Sequence, residues 1–115
     1  MAPPSQLAIA TSSLNRLVKE EASYHKEAEQ QQARIAKLEQ GDQSDENAEF
    51  TLKQERKALE ETKAIFPQLK QNIQDALSKL EAQLEQAKGP DSSPEDINKA
   101  KEAIASAMTA VRETS

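Results

Sequence analysis

Residues 52–80 read LKQERKALEETKAIFPQLKQNIQDALSKL, and the spacing of their apolar side chains decides the fold. Leu52, Leu59, Phe66, Ile73 and Leu80 recur at seven-residue steps, and Ala87 extends the line. Thr62 and Leu69 form a companion line that drifts by one residue to Leu77 and Leu84. Such drift is what an α-helix of ~3.6 residues per turn produces against a seven-residue repeat. The stretch therefore reads as one face of a long helix covering about residues 47–88. Pro67 stands inside it. An interior proline removes a backbone hydrogen bond and crowds the carbonyl of Lys63, at a cost of roughly 3 kcal/mol. The stripe nevertheless passes through Phe66, Leu69 and Ile73 in register. The spacing predicts a single helix kinked at Pro67, with the bend serving packing first and a binding surface as the alternative.

Upstream, helix 1 is expected over about residues 5–40, starting at Ser5 or Ser12. Leu7, Leu14, Glu21, Ala28 and Ile35 occupy one core position of a seven-residue repeat, and Ala10, Leu17, Tyr24, Gln31 and Leu38 the other. Residues 7–11 also fit an alternating strand, but Leu7 and Ala10 continue the register, which favours helix. Glu21 interrupts the stripe, and its charge is expected to snorkel or to meet a basic group on helix 2. Downstream, helix 3 is expected over about residues 94–112, with Ile97, Ala100, Ile104, Ala107, Met108 and Val111 on one face. Its small residues imply close approach to its neighbours.

Two short breaks separate the helices. In the first, Gly41 suits a left-handed C-terminal position and Ser44 or Asp45 an N-cap. In the second, Gly89 ends helix 2, Ser93 caps helix 3, and Pro94 takes its first position with Asp96 at the third. Loops this short join antiparallel neighbours. Helix 2 would be about 63 Å long at ~1.5 Å per residue, and helix 3 reaches along only its C-terminal third. An elongated antiparallel, up-down-up three-helix bundle follows: one all-α domain over residues 1–115, with helix 2 longest. Its two-helix end is expected to be the weaker one.

Composition agrees. The 115 residues include 30% charged, 36% hydrophobic and 3% aromatic side chains, with no Cys and no Trp. Disulfide scaffolds and thiolate metal sites are excluded. No apolar run approaches the ~18 residues of a membrane span, and no signal pattern opens the chain, so a soluble, unexported protein is expected. The formal charge is −5. Residues 5–40 carry five basic and five acidic groups, and residues 48–88 carry seven of each, so both long segments are neutral. With no basic stripe and few aromatics, nucleic acid is not an expected partner.

Catalytic chemistry is not legible. His25 is the single histidine, and it reads as a surface helix position, with no second ligand to share a metal. Glu20 and Glu21, like Glu60 and Glu61, are neighbours that point about 100° apart and do not converge on a substrate. Asp42 and Asp45 lack the oxygen spacing and closing Glu of a calcium loop. No Gly-rich phosphate cradle or nucleophile constellation is present. Neither an enzyme activity nor a cofactor nor a metal is expected.

One resemblance covers nearly the whole chain. Arg16-Leu17-Val18-Lys19-Glu20, then Tyr24, Glu27, Gln31 and Ile35, are similar to the first helix of the tubulin-binding cofactor A (tubulin-specific chaperone A) family. The likeness continues through Leu52-Lys53, Leu59, Glu61-Thr62-Lys63 and Ile65-Phe66-Pro67, including the proline inside helix 2. The sequence departs from the family at Leu52-Lys53-Gln54-Glu55, where a second Lys is usual before Gln. The resemblance implies a non-enzymatic, cytoplasmic and cytoskeleton-associated protein. It implies binding to β-tubulin that has left the cytosolic chaperonin and is not yet paired with α-tubulin, together with other tubulin-folding cofactors and without a nucleotide. Arg16, Lys19, Glu20, Glu27, Lys53 and Lys63 match the family and lie off the core stripe, so they are the expected partner-binding residues. A monomer is expected. The alternative from the residues is a homodimeric coiled-coil scaffold using the same heptads; a third reading is a helical regulatory domain of the vesicle-fusion type.

Overall fold

A computed structural model describes residues 4–41, 46–87 and 93–113. Three helices account for nearly all of these: α1 Gln6–Gln40, α2 Glu46–Gln86 and α3 Pro94–Glu113. Residues 7–11 are helical, as the register of Leu7 and Ala10 indicates. Pro67 lies inside α2, which continues through it without a break in helical structure.

Capping fixes where α1 and α3 begin. The Ala8 amide donates to Ser5 Oγ at 3.0 Å and the Ile9 amide to the Ser5 carbonyl at 2.9 Å, so Ser5, not Ser12, is the N-cap of α1. At α3 the Asp96 amide lies 3.4 Å from Ser93 Oγ and the Ile97 amide donates to the Ser93 carbonyl at 3.1 Å. Pro94 thus fills the first helical position, where no amide hydrogen is needed. The Ser5 hydroxyl also donates to Asp96 Oδ2 at 3.1 Å. The starts of α1 and α3 are therefore side by side, and the two helices run parallel.

Gly41 departs from expectation. No described residue has positive φ. The Gly41 amide instead donates to the Leu38 carbonyl at 3.2 Å. This tighter i to i−3 closure satisfies an end carbonyl without a left-handed residue. The capping roles assigned to Ser44, Asp45 and Gly89 lie outside the described residues.

The chain divides into two compact units: Met1–Glu20 with Gln68–Ser115, and Glu21–Pro67. In the first, all three helices contribute. Gln6, Ile9 and Ser13 line one groove with Gln83, Lys79 and Ala76, a descending order that makes α1 and α2 antiparallel. Leu14, Ile73 and Leu80 are wholly buried, and Leu7 and Leu69 nearly so. From α3 the buried residues are Ala100, Ala103 and Ala107, and methyl side chains let a helix approach closely. Met108, expected on this face, is 51% exposed. The buried line runs at i, i+3 and i+7 from Ala100, so it includes Ala103 and turns Met108 outward. Thr11 is buried on α1 and donates its hydroxyl to the Leu7 carbonyl at 2.8 Å, which removes the cost of burying it.

The second unit is an antiparallel hairpin of α1 and α2. Arg34 meets Glu55 at 3.4 Å and Arg56 meets Glu39 at 3.1 Å. Its buried apolar residues among those described are Ala28 and Leu52, joined by the polar Glu21, Gln31 and Thr62. Ile35, Leu38, Leu59 and Phe66 keep partial exposure, since no third helix of the unit covers them.

Two substitutions check this account of the helix ends. Ser5→Ala is expected to cost about 1 kcal/mol in chemical denaturation, because it removes the cap and the bond to Asp96 together. Gly41→Ala is expected to leave stability unchanged or raise it by a few tenths of a kcal/mol or more. The added Cβ would stand 3.5 Å from the Leu38 carbonyl oxygen and 3.6 Å from that of Lys37, in ordinary contact.

Candidate binding surface

The amphipathic pattern that buries Leu7, Leu14, Ile73 and Leu80 turns the remaining faces outward, and these carry the candidate residues. Arg16, Lys19 and Glu20 are exposed on α1 in the three-helix unit, at i, i+3 and i+4, so they share one face. In the hairpin unit Glu27 is exposed on α1, and Lys53 and Lys63 are exposed on α2. None of the six enters an ion pair with another described residue. By contrast Arg34, Arg56 and Lys99 are held by Glu55, Glu39 and Glu95. The Lys99 ammonium is raised above its ordinary pKa by the hydrogen bond and charge of Glu95, one helical turn away at 3.1 Å.

Polar groups inside the hairpin unit differ from expectation. Glu21 is 2% exposed, so its carboxylate does not snorkel to water. A basic group beside it is His25 of the same helix, with Nε2 3.9 Å from Glu21 Oε1. His25 is not a plain surface residue. Its ring stacks on Phe66 of α2, with centroids 4.3 Å apart and planes 15° from parallel. Although 43% of the side chain is exposed, its Nε2 is shielded from solvent and makes no hydrogen bond. Gln31 is 5% exposed, and its Oε1 is buried without a hydrogen-bond partner. Thr62 avoids that cost by donating to the Ala58 carbonyl at 3.0 Å.

Open grooves, not enclosed cavities, mark the surface. In the three-helix unit one of about 440 Å³ runs between Ile9 and Ala10 of α1 and Ala76 and Lys79 of α2. Among the described residues no three His, Cys, Asp or Glu side chains are grouped to hold a metal, and no helix is long and apolar enough to cross a membrane. Among the described residues, Ile9, Phe50, Ile65 and Met108 are large apolar side chains left exposed. Phe50 was legible only by exclusion, because it falls outside the Leu52–Leu59–Phe66 stripe.

Helices that bury one stripe on each other and turn charged side chains outward define an all-α helical-bundle protein. The profile of the family described as Tubulin binding cofactor A matches residues 2–104, and the chain belongs to that family. Tubulin-specific chaperone A of Saccharomyces cerevisiae is 36% identical over 105 residues, which cover 91% of this chain and 92% of the relative. Tubulin-folding cofactor A of Arabidopsis thaliana is 33% identical over 107 residues, or 91% of this chain and 90% of the relative. In three dimensions the crystal structure of the Arabidopsis cofactor superposes with a TM-score of 0.76 at 28% identity, covering 90% of this chain and 92% of that one. The β-tubulin binding post-chaperonin cofactor RBL2P superposes with a TM-score of 0.79 at 32% identity, covering 94% and 99% of the two chains.

The unpaired Gln31 oxygen makes a sharp test of the hairpin interior. Gln31→Leu is expected to stabilise the protein by about 1–2 kcal/mol in urea, because it removes a buried acceptor left without a partner while nearly keeping the volume.

Proposed function

We propose that the chain is a tubulin-folding cofactor that binds β-tubulin after its release from the cytosolic chaperonin and holds it until pairing with α-tubulin. In this reading it acts in the cytoplasm as a monomer, beside other folding cofactors, with neither nucleotide nor catalytic step. The observation that carries the reading is the end-to-end likeness to a β-tubulin binding post-chaperonin cofactor, at 94% and 99% coverage. Physical reasoning supports it. An unpaired subunit exposes a surface otherwise covered in its heterodimer, and exposed apolar surface invites misassociation. A partner that binds the folded form alone stabilises it by mass action, so no bond need be made or broken. A small helical module with outward charges suffices for that task.

The contact residues we propose are Arg16, Lys19, Glu20, Glu27, Lys53 and Lys63. Each is exposed, and none is tied to another described side chain by an ion pair. The experiment is a pull-down of the purified protein against separated α- and β-tubulin, including the chaperonin-released form. Retention of β-tubulin and not α-tubulin is expected. The double variant Lys19→Glu/Lys63→Glu is expected to bind on the order of tenfold more weakly with unchanged helical circular dichroism. Equal capture by wild type and variant would remove these residues from the surface. Sedimentation equilibrium is expected to give the 12.7 kDa species, and twice that mass would point to the coiled-coil scaffold.

A further inference from the structure

The two units bury different kinds of side chain. Among the described residues the three-helix unit buries eight apolar side chains, with Leu14, Ile73 and Leu80 wholly covered, and one polar side chain, Thr11. The hairpin unit buries two apolar side chains, Ala28 and Leu52, and three polar ones, Glu21, Gln31 and Thr62. Two of its shielded polar atoms, Gln31 Oε1 and His25 Nε2, make no hydrogen bond, so their desolvation is not offset. Its larger apolar side chains Ile35, Leu38, Leu59 and Phe66 are only half-covered.

Helix chemistry adds a second weakness. A helical segment of about 20 residues is marginal by itself in water and depends on packing against a neighbour. Segments 21–40 and 46–67 are of that length, and the packing that holds them is sparse in apolar burial. Pro67 closes the hairpin unit on α2. Having no amide hydrogen, it cannot donate to the Lys63 carbonyl, so the ladder of α2 lacks a bond at the border of the unit. Separating the helical turns on either side of that border therefore breaks one bond fewer.

We infer that the hairpin unit opens and unravels as a cooperative unit of its own, while the three-helix unit stays folded and holds the chain together. Opening exposes Ile35, Leu38, Leu59 and Phe66 completely and returns Gln31 Oε1 and His25 Nε2 to water. The sequence pattern makes the two-helix end the weaker one; the division of burial makes it a separately opening one. No client is needed for this opening, so it is independent of the function proposed above.

The test is amide hydrogen exchange of the full chain without any client, read by mass spectrometry across a series of sub-denaturing urea concentrations. Interior amides of the hairpin, within residues 24–35 and 52–63, are expected to exchange together and at least about tenfold faster than those within 9–17, 72–80 and 100–107. The hairpin amides are also expected to show the smaller urea dependence, because their opening exposes less surface. Two substitutions move the hairpin in opposite directions. Gln31→Leu, which removes the unpaired oxygen, is expected to slow exchange there by on the order of tenfold. Leu52→Ala, which removes buried apolar surface, is expected to speed it by on the order of tenfold or more. Both are expected to leave exchange in the three-helix unit within about twofold of wild type. Equal protection and equal urea dependence in the two units would mean a single global opening and overturn the inference. Earlier exchange of the three-helix unit would overturn it too, as would either substitution shifting both units alike.

Discussion

The close seat of α3 is the contact on which the three-helix unit depends. Ala100, Ala103 and Ala107 are buried at 0–2% exposure, and nothing larger than a methyl group stands on that line. Leu14, Ile73 and Leu80 of the same unit are also completely covered. Complete burial matters because a large aliphatic side chain contributes roughly 1.5–3 kcal/mol only when water is fully excluded. Any larger residue on the alanine line would push α3 outward, the usual consequence of overpacking. The same unit spends its polar groups economically. Ser5 Oγ accepts from the Ala8 amide and donates to Asp96, so one hydroxyl ties the starts of two helices.

The hairpin unit shows the opposite economy. It has two helices, and a helix pair covers less of each stripe than a trio. Leu59, Phe66, Ile35 and Leu38 stay half-buried, and Glu21, Gln31 and Thr62 occupy positions where an aliphatic side chain would fit the repeat. Thr62 is satisfied within its own helix, whereas the Gln31 oxygen is not. Apolar burial is therefore smaller in this unit than in the three-helix one, and the ring stacking of His25 on Phe66 and the ion pairs of Arg34 and Arg56 add to it. Exposed ion pairs contribute little, about 0–1 kcal/mol each.

The client binding proposed for this chain calls for side chains that reach solvent. Arg16, Lys19 and Glu20 in the three-helix unit, and Glu27, Lys53 and Lys63 in the hairpin unit, are all exposed. The grooves are open and shallow, bounded by side chains such as Ala10, Ala76 and Lys79 that offer contact area more than reactivity. Membership in the tubulin binding cofactor A family is the ground on which that function is proposed.

Helix number, order and direction were legible in the residues alone. A repeat of Leu52, Leu59, Phe66, Ile73 and Leu80 is periodic over so many turns that no strand accommodates it, and Ser93-Pro94 announces a helix start by local chemistry. These properties depend on neighbours within a few residues, which is why the sequence carries them. Degree of burial is different, because it depends on which other helix arrives opposite. Met108 belongs to an apolar pattern yet faces water, since α3 turns on Ala103; His25 looks like a solvated position yet lies against Phe66. Gly41 has the residue type for a left-handed cap, but a single bond to the Leu38 carbonyl closes the helix without one. Periodicity within one helix thus determined the elements and their stripe. Only the packing of one helix on another decided which polar groups were sealed inside and which aromatic ring was left in solvent, because burial is a property of pairs of surfaces and not of a single chain segment.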